Sequence, residues 1–182
     1  DEYDKVQKLI AYAKRLGIVN GCIHLYCNPQ GLDVEDLFVR VLSAGADLLL
    51  IDSLQLCTVS DVKADIGTPT MVDAVINLLS SFAQAKKKAV AAISHLVKAG
   101  DYAGSGKLQH LVDALVRMDP RRIYDERGNL VQETDGLREF SIDGKSRQGP
   151  SDLSALAELT AEGIRPPSIA ALRAYSKIHL VR

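Results

Sequence analysis

The sequence predicts an α/β protein whose sheet is mostly parallel and flanked by helices, with antiparallel strands near the C-terminal end. Three observations carry this. Two short apolar runs, Leu48–Ile51 and Ala89–Ile93, have the length and texture of fully buried strands. The stretch between them, from Thr70 to about Lys86, reads as a helix, the crossover that parallel neighbours require. Further on, Ala114–Met118 and Leu137–Ile142 alternate as strands do, with Asp125-Glu126-Arg127-Gly128-Asn129 as a hairpin turn.

The elements follow in order. Val6, Leu9, Ile10, Ala13 and Leu16 recur at helical spacing, and Gly17 supplies a stop. Cys22 to Cys27 is a short apolar run expected to be a strand, ended by Asn28-Pro29-Gln30-Gly31. Asp33 is placed to cap a helix carrying Leu37, Phe38, Val41 and Leu42. After the Leu48–Ile51 strand comes a polar loop, roughly Thr58 to Pro69, and then the long helix. The Ala89–Ile93 strand ends at Ser94-His95, a glycine-rich loop runs from Lys98 to Gly106, and a short helix covers Leu108 to Val112. Beyond Gly149-Pro150 the texture changes. Ser151 to Glu162 reads as a helix, Gly163-Ile164-Arg165-Pro166-Pro167 breaks it, and a last helix runs to about Lys177. The expected organisation is a core over residues 1–150 and a helical extension over 151–182.

Composition narrows the function. The 182 residues make one domain's worth of chain, and 47% hydrophobic with 25% charged residues is ordinary for a globular protein. A net charge of −1 leaves any nucleic-acid binding to local patches. Tryptophan is absent and aromatics are only 5%, which disfavours a stacking platform for single strands. The three cysteines, Cys22, Cys27 and Cys57, lack zinc-like spacing, and their odd number fits a reducing compartment. Histidines 24, 95, 110 and 179 show no metal-ligand spacing either. No apolar run approaches the ~20 residues of a membrane span. The acidic start Asp1-Glu2-Tyr3-Asp4 does not read as a secretory leader, so a cytoplasmic location is expected.

The most informative stretch is Leu48-Leu49-Leu50-Ile51-Asp52-Ser53-Leu54-Gln55. A buried strand that delivers one carboxylate to the sheet's C-terminal edge has the form of a Walker B element, which helps hold Mg²⁺ beside a nucleoside triphosphate. Many α/β strands end in aspartate, but Ser53-Leu54-Gln55 makes the pattern narrower. Gly104-Ser105-Gly106-Lys107 looks like a phosphate-binding loop and fails the pattern. The spacing G-x-x-x-x-G-K puts glycine where Asp101 stands, Leu108 replaces the Ser or Thr that ligates Mg²⁺, and the segment follows the Asp52 strand instead of preceding it. Lys145 and Arg147 lie one residue apart on an extended segment, so they point the same way and can reach one anion. They are either an exposed basic turn or a pair offered to a neighbour's γ-phosphate.

These segments resemble the RecA-like core of hexameric DNA helicases, closest to the bacterial RadA (Sms) helicases and to DnaB-type and phage replicative helicases. The resemblance spans roughly Glu2 to Pro150. Lys14-Arg15-Leu16-Gly17 is similar to that family's R-L-G helix end, and Leu50-Ile51-Asp52-Ser53-Leu54-Gln55 to its Walker B segment. Ser94 to Asp113 resembles, without a gap, the run H-V-T-K-E-G-x-x-A-G-P-R-x-L-E-H-x-V-D. Lys145-Ser146-Arg147-Gln148-Gly149-Pro150 resembles K-N-R-F-G of RadA and K-Q-R-N-G-P of DnaB-type helicases.

The resemblance implies an ATP-driven DNA helicase or single-stranded DNA translocase, active in DNA repair or replication, with ATP and Mg²⁺ as cofactors. Nucleotide would bind between protomers of a homohexameric ring. Asp52 would hold Mg²⁺ through water, with Ser53 and Gln55 beside the nucleotide. Ser94 and His95 would sense the γ-phosphate, and Lys145 and Arg147 would act on the adjacent subunit's ATP. Glu2 is the nearest candidate for the catalytic glutamate. Lys98 and the Gly104, Ser105, Gly106, Lys107 loop, together with Lys63, would hold the phosphates of a single strand. A Walker A loop is expected upstream of Asp1, and the 151–182 tail has no counterpart in the family pattern. The alternative is a degenerate, non-catalytic RecA-like subunit or assembly module that lends its Lys145/Arg147 finger to a partner.

Overall fold

The computed structural model describes residues 7–8, 10–11, 14–15, 17, 23–28, 30–95, 108–124, 127–147, 149–150 and 153–172, of which 108–109, 123–124, 131–135 and 143–145 are described by their backbone alone. The chain divides into two compact units. One comprises Asp1–Lys8 with Val19–Val112, the other Leu9–Ile18 with Asp113–Arg182.

The first unit is built on parallel strands. β1 (Leu32–Asp33) pairs with β3 (Cys57–Thr58), and β2 (Leu48–Asp52) pairs with β4 (Ala89–Ile93). Helix α1 (Val34–Ser43) starts where sequence places it, because the Asp33 side chain accepts from the Glu35 and Asp36 amides. Helix α2 (Pro69–Lys86) is the crossover from β3 to β4, with Thr68 as its N-cap, proline in its first turn and left-handed Lys87 (φ 54°) at its end. One face of α2 buries Met71, Val72, Val75, Ile76, Leu79 and Phe82, at the i, i+3, i+4 spacing of a covered helix. Phe82 stacks on Phe38 with ring centroids 4.0 Å apart, which locks α1 against α2.

The expectation of fully buried strands holds for one face only. In β2, Leu49 and Ile51 are buried, whereas Leu48 is 49% and Leu50 71% exposed. β4 is mostly exposed as well, with Ile93 at 53%. Side chains alternate across a strand, so a cover on one side shelters every second residue. Residues 23–28, expected as part of a strand, have no regular structure, and Ile23 and Leu25 are exposed. An apolar run becomes a strand only where a neighbour completes its ladder, and among the described residues none does so here. Helical geometry at 7–8, 10–11 and 14–15, ended by Gly17 (φ +71°) bonding to Lys14 O at 3.1 Å, agrees with the first predicted helix.

The second unit contains an antiparallel meander in the order β5 (Ala114–Tyr124), β6 (Leu130–Ser146), β7 (Ser154–Thr160) and β8 (Gly163–Arg165). The predicted hairpin joins β5 to β6, with Gly128 at φ +80° in the turn. Pro120 sits inside β5 and cannot donate to the ladder; the register shifts there, and Gly136 (φ +84°) lies within the displaced stretch of β6.

β7 corrects the sequence reading of 151–162 as a helix. Ala, Leu and Glu favour helix by only tenths of a kcal/mol per residue. Five registered pairs with β6, from Leu137↔Glu158 to Ser141↔Ser154, outweigh that preference, and Leu137 and Ala157 are buried. The tail is thus partly a sheet extension. A helical turn does occur at 169–172, where Ser168 Oγ accepts from the Ala171 amide at 3.1 Å.

Candidate functional site

β2 and β4 run parallel in register, with Leu48 opposite Ala89 and Asp52 opposite Ile93. Both strands therefore end at one edge. Asp52 stands there with its carboxylate exposed, and the chain beyond β4 delivers Ser94, half-buried, and His95, exposed, to the same edge. The Asp52–Ser53 peptide is cis. Ser53 is 4% exposed, and its carbonyl accepts from the Leu56 amide at 3.0 Å and from Cys57 Sγ at 3.7 Å. Burial pushes the Cys57 thiol up to about 11, so it is an inert core group.

Gln55 joins the two strand ends. It lies in a short 3₁₀ turn, Leu54–Leu56, whose first residue is buried. Its Nε2 donates to Ser94 Oγ at 3.1 Å and to His95 O at 3.4 Å, while its Oε1 is buried without a partner among the described residues. Two segments that sequence singled out separately, the stretch ending Asp52-Ser53-Leu54-Gln55 and Ser94–His95, are thereby joined.

The loop between β3 and α2 is tethered to the same region. Ser60 Oγ donates to Asp33 Oδ2 at 2.8 Å. Partial burial alone raises the Asp33 pKa, but the Ser60 hydroxyl and the amides of Asp36 and Glu35 outweigh it and hold the carboxyl below its usual value. Gly31, at φ +115°, lets the loop approach: a Cβ there stands 2.9 Å from Ile66 Cδ1 and 3.3 Å from Leu56 O. Gly67 lies over Gln55, with a Cβ position 3.4 Å from the Gln55 carbonyl oxygen. Lys63 is exposed on this loop.

In the second unit, Lys145 is in β6 and Arg147 follows the strand's last residue. Arg147 Nη1 pairs with Asp113 Oδ1 at 2.9 Å, and its amide donates to Asp113 O at 2.9 Å. Sequence reasoning did not foresee Asp113 as its partner. The antiparallel register, which sets Ser146 against Ala114, brings the end of β6 to the residue before β5, and no local sequence pattern fixes that register. The Asp33–Ser60 link was also missed, because its residues are 27 apart in sequence and nothing local joins them. Glu2, Lys98, Gly104, Ser105, Gly106 and Lys107 lie outside the described residues. Among the described residues, no three His, Cys, Asp or Glu side chains cluster as metal ligands. No helix among them is long and apolar enough to cross a membrane.

No family model matches this chain. Relatives exist nonetheless. The chain is 26% identical over 172 residues to the DNA repair protein RadA of Brucella abortus, an alignment covering 91% of this chain and 33% of that protein. To RadA of Mycobacterium tuberculosis it is 29% identical over 110 residues, covering 60% and 23%. The chain thus spans a third or less of the length of these curated relatives. Among solved structures, a DnaB-like replicative helicase studied with primase superposes with a TM-score of 0.60 at 15% identity, over 78% of this chain and 36% of that one. A second solved structure, itself an isolated ATPase domain, superposes with a TM-score of 0.57 at 17% identity, over 76% and 52%. The fold is like that of these helicase structures, and the sequence is similar to RadA proteins over part of their length.

Proposed function

We propose that this chain, with its RecA-like fold and RadA-like sequence, is part of the motor core of an ATP-driven DNA helicase or single-stranded DNA translocase. One observation carries the reading. Asp52, Ser94 and His95 stand at a single edge of two paired parallel strands, and Gln55, in the turn that follows Asp52, bonds Ser94 and His95. Ligands in open α/β sheets bind outside the carboxyl ends of the strands, which is where this edge lies.

An exposed lone carboxylate suits Mg²⁺, an ion that keeps several waters and takes its remaining ligands from substrate phosphates. When bound, that ion neutralises charge on the transferring γ-phosphoryl group. Asp52 orients the water shell around it. Ser94 and His95 register whether the γ-phosphate is present and pass that state to the chain beyond β4. Lys145 and Arg147 reach the nucleotide of a neighbouring protomer in a homohexameric ring, and Lys63, Lys98 and the Gly104–Lys107 loop contact the phosphates of a single strand. The names of the relatives, a DNA repair protein and a replicative helicase, support DNA as the polymer.

The test is steady-state ATP turnover of the full-length protein that contains this chain, with and without single-stranded DNA. Asp52→Asn is expected to lower turnover by about 10²–10³-fold, the cost of removing one aligned electrostatic partner, with thermal unfolding unchanged because Asp52 is exposed. A wild-type protein that binds no ATP and shows no turnover in Mg²⁺ and single-stranded DNA favours the alternative, a non-catalytic subunit lending its Lys145/Arg147 finger to a partner.

A further inference from the structure

We propose that Gln55 is a positioning residue, not a nucleotide ligand. It fastens the Ser94–His95 pair and the C-terminal root of the 59–67 loop to the Asp52 edge. This rests on the functional reading above and deepens it at one residue.

The chemistry of the side chain decides against ligation. Both Nε2 contacts are to protein atoms, Ser94 Oγ at 3.1 Å and His95 O at 3.4 Å. The orientation of the amide is set by the second, since a backbone carbonyl only accepts. The polar atom left over is Oε1, an acceptor, buried and without a partner among the described residues. Phosphate oxygens at neutral pH are acceptors too, so Oε1 meets them with the wrong polarity.

The backbone supports the positioning role. Gln55 is held between buried Leu54 at 5% and Cys57 at 0% exposure, so its main chain cannot drift independently of the β2 end. Its carbonyl oxygen lies close to Gly67 (φ +77°), where an added Cβ would stand 3.4 Å from it. Gln55 thus bonds the start of the segment after β4 through its side chain, while its carbonyl lies close to Gly67 at the end of the loop after β3.

The test uses full-length protein with Gln55→Glu, which keeps size and acceptors but removes both N–H donors. KM for ATP is expected to stay within about twofold, while the ratio of DNA-stimulated to unstimulated turnover falls about 5- to 10-fold, the range of ordinary coupling between sites. Ser94→Ala is expected to lower the same ratio partway, and the double variant to be no worse than Gln55→Glu alone. A tenfold rise in KM with the stimulation ratio intact overturns the proposal and makes Gln55 a ligand; so does no change in either quantity. If Gln55→Glu fails to fold, Gln55→Met, of similar length and without N–H donors, is read by the same ratio and the same limits.

Hydrogen exchange separates this proposal from the functional reading. The amides of Val62, Ala64 and Thr68, which bond to Val59 O, Val62 O and Asp65 O, and those of Ser94 and His95, are expected to exchange faster in Gln55→Glu. That result with a wild type lacking stimulated turnover keeps the positioning role and discards the motor. Unchanged exchange at both segments discards the positioning role whatever the turnover.

Discussion

Arg147 offers the sharpest separation of structural from catalytic function. Its ion pair with Asp113 is 2.9 Å long, but the two side chains are 43% and 71% exposed. Exposed pairs of this kind contribute about 0.2–1 kcal/mol to stability. Arg147→Ala and Asp113→Asn are therefore each expected to cost at most about 1 kcal/mol in urea unfolding. An arginine acting on a neighbour's γ-phosphate is worth about 10³–10⁵ in turnover, at least about 4 kcal/mol of barrier. The two variants should then part company. Arg147→Ala should lose ATP turnover by about 10³-fold or more while keeping nucleotide affinity, and Asp113→Asn should remain within a few-fold of wild type. Turnover and nucleotide binding by the full-length protein, measured beside unfolding, give all the quantities. If Asp113→Asn loses turnover as deeply as Arg147→Ala, the guanidinium acts by holding the β5–β6 end in place and the trans role is wrong.

Two further expectations concern the first unit. Asp33 has a folded pKa below its unfolded value of about 3.9, so its contribution is complete above that pH and disappears as pH falls through the folded pKa. Asp33→Asn should cost about 0.5–1 kcal/mol at pH 7, with the difference from wild type shrinking below about pH 4; a difference that is constant between pH 7 and 2.5 contradicts the hydrogen-bonded carboxylate. Cys57, fully buried with its pKa raised to about 11, should resist iodoacetamide in the native protein at pH 8, while exposed Cys27 is alkylated. Peptide mass spectrometry reads both sites, and native modification of Cys57 shows that the β3–α2 packing opens readily.

The secondary structure around the candidate site was legible because its signals are local. Asp33 is a capping residue and the apolar positions of α2 keep a 3.6-residue period, whereas the Thr68 cap and the helical start at Pro69, one residue before the expected Thr70, came from the structure. Asp52 was legible as a carboxylate closing an apolar run. Residues 151–162 were not, because leucines at 153, 156 and 159 fit a helix while the edge of β6 is invisible to any local pattern. Residues 23–28 failed for the converse reason, an apolar run without a ladder partner among the described residues.

The sequence by itself determined the α/β class, the strand that ends on Asp52, and the resemblance to helicase cores carried by Ser94–Asp113 and Lys145–Arg147. These depend on residue identity and short-range order. Only the tertiary structure decided what those residues touch. It aligned Asp52 with Ile93 so that both strands end at one edge, turned the Gln55 amide onto Ser94 and His95, and set Arg147 against Asp113. Each of these contacts joins residues 34 to 41 positions apart or depends on strand register, and register is settled by pairing and burial across the whole unit.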